Sequence, residues 1–359
     1  MSAGSGVELG HADVIIVDWL GRGGIAHTTD AWVRELRQCH RTPLVVTRGG
    51  RELEQLIPGT VGVRSQLGSV AAHSAIAAAT ARRLRSLRPE WLILQGSVLP
   101  HLELPLVLLA RQLHVKVCVV AHEYSAPRTA PGSEALLRRL WQQSEVVVTH
   151  SEFVREQLTE AAPTARMESV SLPKTQCLVD LAEQSSPVWT TLADRLLALS
   201  FGQLQKSYKG ASIISELAKV VRRPWQFALV GTGVPTVTDS PVLTKDGFLP
   251  ASTLAATVGA ATVVLLPYAR ASQSAAVVLA QEMGTPVVAS AVGGIPEQIE
   301  DGVTGLLVDP RAGLEAWVAA LKSLEDGDTR QHISERARLH LELQHRRFSR
   351  QICALLKEN

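Results

Sequence analysis

Residues Pro267 to Glu297 read PYARASQSAAVVLAQEMGTPVVASAVGGIPE, and the punctuation of this stretch decides the fold. The apolar run just before it, Thr262 to Leu266 (TVVLL), has the composition of a buried strand and stops at Pro267. Ser272-Gln273-Ser274 then opens an apolar helix to about Met283, Gly284 ends it, and Val287-Val288-Ala289 reads as the next strand. Gly293-Gly294 forms a turn, and Pro296 stands where a first helical position would lie. Two helix N-termini thus follow two strand ends. Such ends offer unpaired N–H groups and partial positive charge, and glycine lets an anion approach the backbone. That suits a phosphorylated ligand; a purely structural βαβα unit accounts for the same pattern.

Working outward, short apolar runs alternate with helical-period segments, which predicts an α/β protein with parallel sheets and crossover helices. The first-half strands are expected at Val14 to Val17, Leu44 to Thr47, Trp91 to Leu94, Val115 to Ala121 and Val146 to His150. Helices are expected between them at Ile25 to Cys39, Val70 to Leu87, Leu102 to Leu113 and Glu134 to Gln142. A polar, proline-bearing stretch from Leu172 to about Pro187 follows, and the pattern restarts at Leu196 to Leu199. The interdomain linker is therefore placed around Gln184 to Trp189. Helices near Leu314 to Leu324, Arg330 to Leu341 and Phe348 to Lys357 close the chain.

The 359 residues suffice for two domains with independent cores, and 46% apolar with 19% charged residues describes a globular, soluble chain. A net charge of +2 gives no general argument for nucleic acid or membrane binding, and 4% aromatics leaves little for base-stacking platforms. Cys39, Cys118, Cys177 and Cys353 are far apart with no CxxC pair. Neither a metal site nor a disulfide framework is expected, and a reducing cytoplasm is the simplest compartment. The start MSAGSGVELGHADV lacks the basic residues and apolar core of a signal peptide, and no apolar run approaches a membrane span.

The pieces P-x3-ASQS, GTPVVAS, VGGIPE and DGVTGLLV (Asp301 to Val308) resemble the donor-site region of family 4 glycosyltransferases, which have the GT-B fold. Further pieces extend the resemblance over most of the chain. Gly23-Gly24-Ile25 is similar to the family's glycine loop, and FGQLQKSYKG (Phe201 to Gly210) to the start of its second domain. Val230-Gly231-Thr232-Gly233 resembles that domain's second strand, and DGFLP (Asp246 to Pro250) its base-recognition loop. The resemblance implies two Rossmann-like domains facing across a cleft. Residues 1–186 would bind the acceptor, residues 187–344 the nucleotide sugar, and residues 345–359 would form a terminal helix crossing back to the first domain. It implies sugar transfer with retained anomeric configuration, without a bound metal or cofactor.

The site residues follow from the same resemblance. Lys206 and Lys209, on the turn after the second domain's first strand, would stabilise the departing diphosphate as catalytic cations. Gln205 competes with Lys206 for its place, but a neutral amide does not neutralise a leaving group. The alternative is two solvated loop lysines. Gly23 and Gly24 would approach the diphosphate, with Arg22 adding charge or simply exposed. His122, at a strand's carboxyl end, would lie near sugar and acceptor; the family often follows this His with Asp, where Glu123 stands here. A histidine capping a loop is the alternative. His150-Ser151-Glu152 reads as structural, with Ser151 an N-cap. Donor binding would use Gly231, Phe248, Leu249, Ser272, Gln273 and Ser274.

The chain departs from the family at one place. The family's glutamate, seven residues, glutamate motif falls on Ala271 and Leu279, as in a subset carrying ASQS here, and Glu282 on roughly the same helix face is the candidate substitute for ribose recognition. A solvated residue near the helix end is its alternative role.

Arg82, Arg83, Arg85 and Arg88 form a basic run that complements a helix C-terminus or makes a weak peripheral membrane contact. The implied partners are a nucleotide-sugar donor and a saccharide, lipid-linked or small-molecule acceptor, and no nucleic acid. The rival reading is a non-catalytic nucleotide-sugar-binding protein with a degenerate site. A sugar epimerase would need cleft carboxylates that the sequence does not offer.

Overall fold

In a computed structural model, which describes residues 12–64, 69–123, 132–175, 177–189, 195–236 and 241–357, the apolar runs pair in parallel throughout. The chain forms two units. One comprises residues through Ser171 and those from Arg347 onward, the other Leu172–Arg346.

The first unit runs β1 (Val14–Asp18), α1 (Gly23–Gln38), β2 (Pro43–Arg48), α2 (Glu52–Leu56), β3 (Val61–Val63), α3 (Ser69–Leu87), β4 (Trp91–Gln95) and α4 (Pro100–Gln112). It continues with β5 (Lys116–Ala121), α5 (Ser133–Gln142), β6 (Val146–Thr149), α6 (Glu152–Ala161) and β7 (Met167–Ser169). Its strands lie in the order β3-β2-β1-β4-β5-β6-β7. Alternate residues of a strand face opposite sides, so a sheet covered on both faces needs apolar side chains at every position. Strands β1 (VIIVD) and β4 (WLILQ) are buried along their whole length. Ile15, Val17, Leu92, Leu94, Val117 and Val119 pack with residues of α3, α4, α5 and α6. Val14, Ile16, Ile93, Cys118, Val120 and Val148 pack with α1 and with Phe348, Ile352, Leu355 and Leu356 from the end of the chain.

The second unit runs α7 (Cys177–Glu183), β8 (Leu196–Gln203), a 3₁₀ turn (Ser207–Lys209), α8 (Ala211–Val220), β9 (Trp225–Thr232), β10 (Leu243–Asp246) and α9 (Ala251–Gly259). Then follow β11 (Val263–Leu266), α10 (Ala275–Met283), β12 (Val287–Ser290), a 3₁₀ turn (Ile295–Glu297), β13 (Leu306–Val308), α11 (Gly313–Ser323) and α12 (Gly327–Leu355). Its strand order is β10-β9-β8-β11-β12-β13. In each sheet, order reverses beside the first strand, at β1/β4 and at β8/β11, the switch points where open α/β sheets bind ligands.

Four expectations need correction. The division falls at Ser171/Leu172, ahead of the expected linker, because Leu178 and Ala182 of α7 bury in the second unit's core and hold that stretch there. The last two of the three closing helices form one 29-residue helix, α12, whose residues through Arg346 belong to the second unit and those from Arg347 to the first. The second helix start, at Pro296, is only a three-residue 3₁₀ turn. Cys39 and Cys353, 314 residues apart in sequence, form a disulfide with 5.9 Å between Cα atoms, since α12 runs back along the C-terminal end of α1. Cys118 is free and buried.

The end of α12 is tied down further by Arg41, which donates to Leu356 O at 2.8 Å, and by Gln351, which donates to Ser169 O at 3.1 Å. Phe348 is fully buried and meets the Trp32 ring edge-on at 6.1 Å. Replacing Phe348 by Ala is expected to destabilise the protein by about 3–5 kcal/mol, read from denaturant unfolding. A loss under about 1 kcal/mol would show that the chain's end does not close this sheet.

Candidate functional site

The second unit gathers its polar side chains at the carboxyl ends of β8, β11 and β12. Gly210 adopts a left-handed conformation (φ 69°), and a Cβ there would lie 1.9 Å from Pro267 O. Only glycine lets the turn after β8 approach the end of β11 this closely. Ala269 N then donates to Tyr208 O at 2.8 Å, joining the two loops. Lys209 Nζ lies 3.7 Å above the ring of Tyr268, a buried residue, and 5.6 Å from that of Tyr208. Lys206, exposed, stands 5.7 Å from the Tyr208 ring, and the Arg270 guanidinium 5.1 Å from it. Three cations therefore share one aromatic platform. Burial pushes the Tyr268 phenol well above its usual range, so it stays protonated.

Ser274 is the N-cap of α10 without a side-chain cap bond; Gln298 holds its backbone instead. The Gln298 amide accepts from Ser274 N at 2.8 Å and donates to Ser274 O at 3.1 Å. Ser272 and Ser274 are buried and Gln273 is half-buried, all at the positive end of α10. Near the end of β9, Gly231 pairs with Gly202, and a Cβ on Gly231 would lie 2.0 Å from Gly202 O, so this glycine serves close strand approach. At the end of β10, Asp246 accepts from Val234 N at 3.0 Å; just beyond it Phe248 is 62% exposed and Leu249 packs on the core. An aromatic ring so exposed at a strand's carboxyl end offers a stacking face.

Glu282 is not brought to this group. It lies eight residues beyond Ser274 on α10, about 12 Å along the axis. Its carboxylate accepts from Thr175 N at 3.0 Å and from the Thr175 hydroxyl. Leu279 is buried in the core, so that position faces the sheet.

In the first unit, Asp18 shapes the loop after β1. Its carboxylate accepts from Leu20 N (2.9 Å), Gly21 N (2.8 Å) and the Thr29 hydroxyl (3.0 Å), while complete burial raises its pKa. Gly23 N, expected to face an anionic ligand, donates to Glu52 at 2.9 Å, and Glu52 also lies 3.3 Å from His27. A carboxylate of the protein itself thus occupies the start of α1. Gly24 is exposed, and its carbonyl accepts from the Thr28 hydroxyl.

At the end of β5, the His122 ring lies 5.2 Å from that of His150. Burial, then the neighbouring His150, lowers the His122 pKa to about 3, so the ring is neutral near neutral pH. His150 is neutral too, its pKa lowered to about 4 by burial, with Nδ1 3.0 Å from Val170 O. Gly96, at φ 80°, makes room: a Cβ there would meet the His122 ring at 3.3 Å and Ile25, just after the glycine loop, at 3.9 Å. Ser151 caps α6 as expected, its hydroxyl accepting from Val154 N at 3.2 Å.

Tyr208, Tyr268, Gln298 and Asp18 were not anticipated. Tyr268 has a signal, an aromatic two residues after a buried strand; Gln298 has none, because its role depends on where the turn after β12 falls. Among the described residues, no three His, Cys, Asp or Glu side chains are grouped to hold a metal ion.

Residues 195–326 match the model of the family described as "Glycosyl transferases group 1". The second unit thus contains a region similar to group 1 glycosyltransferases. Over 81 residues the chain is 43% identical to the D-inositol 3-phosphate glycosyltransferase of Corynebacterium kroppenstedtii, covering 23% of this chain and 18% of that protein. With the Corynebacterium glutamicum enzyme of the same name it is 41% identical over 92 residues, 25% of this chain and 22% of that one. The chain thus spans about a fifth of the length of the curated relatives it matches.

Solved structures extend the likeness of fold to the whole chain. A glycosyltransferase from Rickettsia africae has TM-score 0.73 at 16% identity, covering 97% of this chain and 98% of that one. Sucrose-phosphate synthase from Thermosynechococcus elongatus has TM-score 0.75 at 16% identity, covering 96% and 98%. An Anabaena protein in complex with UDP and glucose has TM-score 0.72 at 17% identity, covering 96% and 98%. The fold of the chain is GT-B.

Glu103, fully buried beneath the start of α4, gives a test of the strand-end electrostatics. It accepts from Val98 N (2.6 Å) and Leu99 N (3.0 Å), yet burial outweighs these bonds and raises its pKa from 4.5 to about 7. Because the folded-state value is the higher one, its contribution is fully present below pH 4.5 and lost as pH rises through about 7. The shift corresponds to about 3 kcal/mol. Glu103→Gln is therefore expected to gain about 1–3 kcal/mol over the native protein near pH 8 and close to nothing near pH 4.5, measured by urea unfolding. A pH-independent difference would contradict the buried, protonated carboxyl.

Proposed function

We propose that this protein transfers a sugar from a nucleotide-sugar donor to an acceptor hydroxyl, with retention of anomeric configuration and without a metal. The second unit takes the donor and the first the acceptor. The observation that carries this reading is the cation group of a glycosyltransferase domain: Lys206, Lys209 and Arg270 on one aromatic platform, beside the N-terminus of α10. The bond from the anomeric carbon to the diphosphate breaks, and these cations with the α10 amides take up the charge left on phosphate. The acceptor oxygen bonds to the anomeric carbon, and its proton passes to the leaving phosphate oxygen. A protein base is then unnecessary. Neutral His122 contributes a hydrogen bond rather than a charge. Phe248 stacks on the donor's base.

One observation favours the rival reading of a binding protein without turnover. The family's second acidic position is Leu279, buried in the core, and Glu282 is bonded to Thr175. Sensitive measurement of nucleotide-sugar hydrolysis without acceptor separates the two.

Donor identity is found by a thermal-shift screen of nucleoside diphosphates and their sugars, because a ligand of the folded state raises stability with ln(1 + [L]/Kd). With that donor, replacing both Lys206 and Lys209 by Ala is expected to lower turnover about a hundredfold or more, with little change in unfolding. Near-normal turnover would sink the assignment of the diphosphate site. Phe248→Ala is expected to weaken nucleoside diphosphate binding about tenfold, the loss of one stacked base. Unchanged affinity by calorimetry would place the base elsewhere.

A further inference from the structure

The carboxyl edge of the first sheet carries a second group of cations that the transfer reaction above does not use. Arg22 is the N-cap of α1, Arg48 ends β2, and Arg51 is the N-cap of α2. Two interlocked loops bring them together. Leu53 N donates to Gly21 O at 3.1 Å, and Gly21 sits in a left-handed conformation (φ 62°) where a Cβ would be 3.1 Å from Arg51 Cβ and 3.4 Å from Arg48 O. Arg48 and Arg51 are half-buried and Arg22 is exposed. The Arg51 guanidinium is held below its usual range by burial first and then by repulsion from Arg48 and Arg22.

Among the described residues, none of the three guanidinium groups forms an ion pair. The acids closest in sequence are committed elsewhere: Glu52 to Gly23 N and His27, Glu54 to Gly50 N, and Asp18 to its own loop. Folding thus gathers three like charges while the local carboxylates bond to other groups, at an electrostatic cost that a bound anion would offset. Arginine's planar fork matches the oxygens of phosphate or carboxylate, two bonds at a time.

The group flanks the β1/β4 switch point, with Gly96 and His122 on the other side of it. From the end of β1 to that of β5 is two strand spacings, about 10 Å. That is the scale of a monosaccharide bearing one substituent. We infer that Arg22, Arg48 and Arg51 bind a phosphate or similar dianionic group on the acceptor, and that the acceptor is a phosphorylated polyol or sugar. This rests on the first unit's being the acceptor unit.

The test uses the full chain with glucose, glucose 6-phosphate, inositol 1-phosphate, UDP, and phosphatidylcholine vesicles with and without phosphatidylinositol. At least one phosphorylated probe is expected to bind where its neutral counterpart does not. Arg48→Ala with Arg51→Ala is expected to weaken it about tenfold or more, while UDP affinity stays within about twofold. Arg22→Gln, at an exposed site without packing to lose, should weaken the same probe in the same direction. Binding of a soluble phosphate identifies a free phosphorylated acceptor; binding confined to phosphatidylinositol vesicles identifies a lipid headgroup.

The inference is overturned if no phosphorylated probe binds, or if the neutral sugar binds as well. It is also overturned if UDP affinity falls in parallel in the arginine variants, since the group would then serve the donor. Loss of nucleotide-sugar binding and turnover in the native protein would instead sink the transferase reading, and the arginine-dependent phosphate affinity would report on this site separately.

Discussion

Two all-parallel sheets must each be covered on both faces, and the rest of the structure answers to that requirement. In the first unit one face is closed by α3 to α6, while the other needs both α1 and the last turns of α12. Without Phe348 and Ile352, strands β4, β5 and β6 would leave Trp91, Ile93, Cys118 and Val148 without their cover. A single long helix is the consequence: its early part packs Ile333 into the second unit and its end completes the first. The Cys39–Cys353 disulfide and the Arg41 bond to Leu356 O secure that end where the packing already places it.

With the sheet faces covered by helices, the strand ends are left to do chemistry, and the two units use them differently. The second collects cations over the rings of Tyr208 and Tyr268. The first buries polar groups whose charge is suppressed: His122 and His150 are neutral and Glu103 is protonated through much of its range. Its carboxylates Asp18 and Glu52 serve backbone amides. The proposed assignment of donor and acceptor rests on this difference: a donor that leaves as an anion suits the cationic surface of the second unit, and an acceptor recognised through hydroxyl groups suits the uncharged polar groups of the first.

Strands such as VIIVD, WLILQ and TVVLL were legible because burial on both faces demands unbroken apolar runs, and such runs are rare by chance. The edge strands β3, β7 and β10 carry sequences such as MES and LTKD, which lack that demand and read as loops. Helix α7 was hidden for a related reason. Only Leu178 and Ala182 bury, too few for a periodic signal, and they moved the division between the units upstream of the expected linker.

The sequence by itself determined the α/β class, the strand–turn–helix junctions and the glycines at Gly210 and Gly284, because these depend on local burial pattern and backbone freedom. It also showed which side chains follow strand ends, hence Lys206, Lys209, Ser274 and His122. Tertiary structure alone decided which of them are available. Gly23 N is taken by Glu52 and Glu282 by Thr175, partners 29 and 107 residues away. Cys39 meets Cys353, and Arg22 comes near Arg48 and Arg51, because disulfide formation and electrostatic interaction depend on distance in space, which sequence separation does not report.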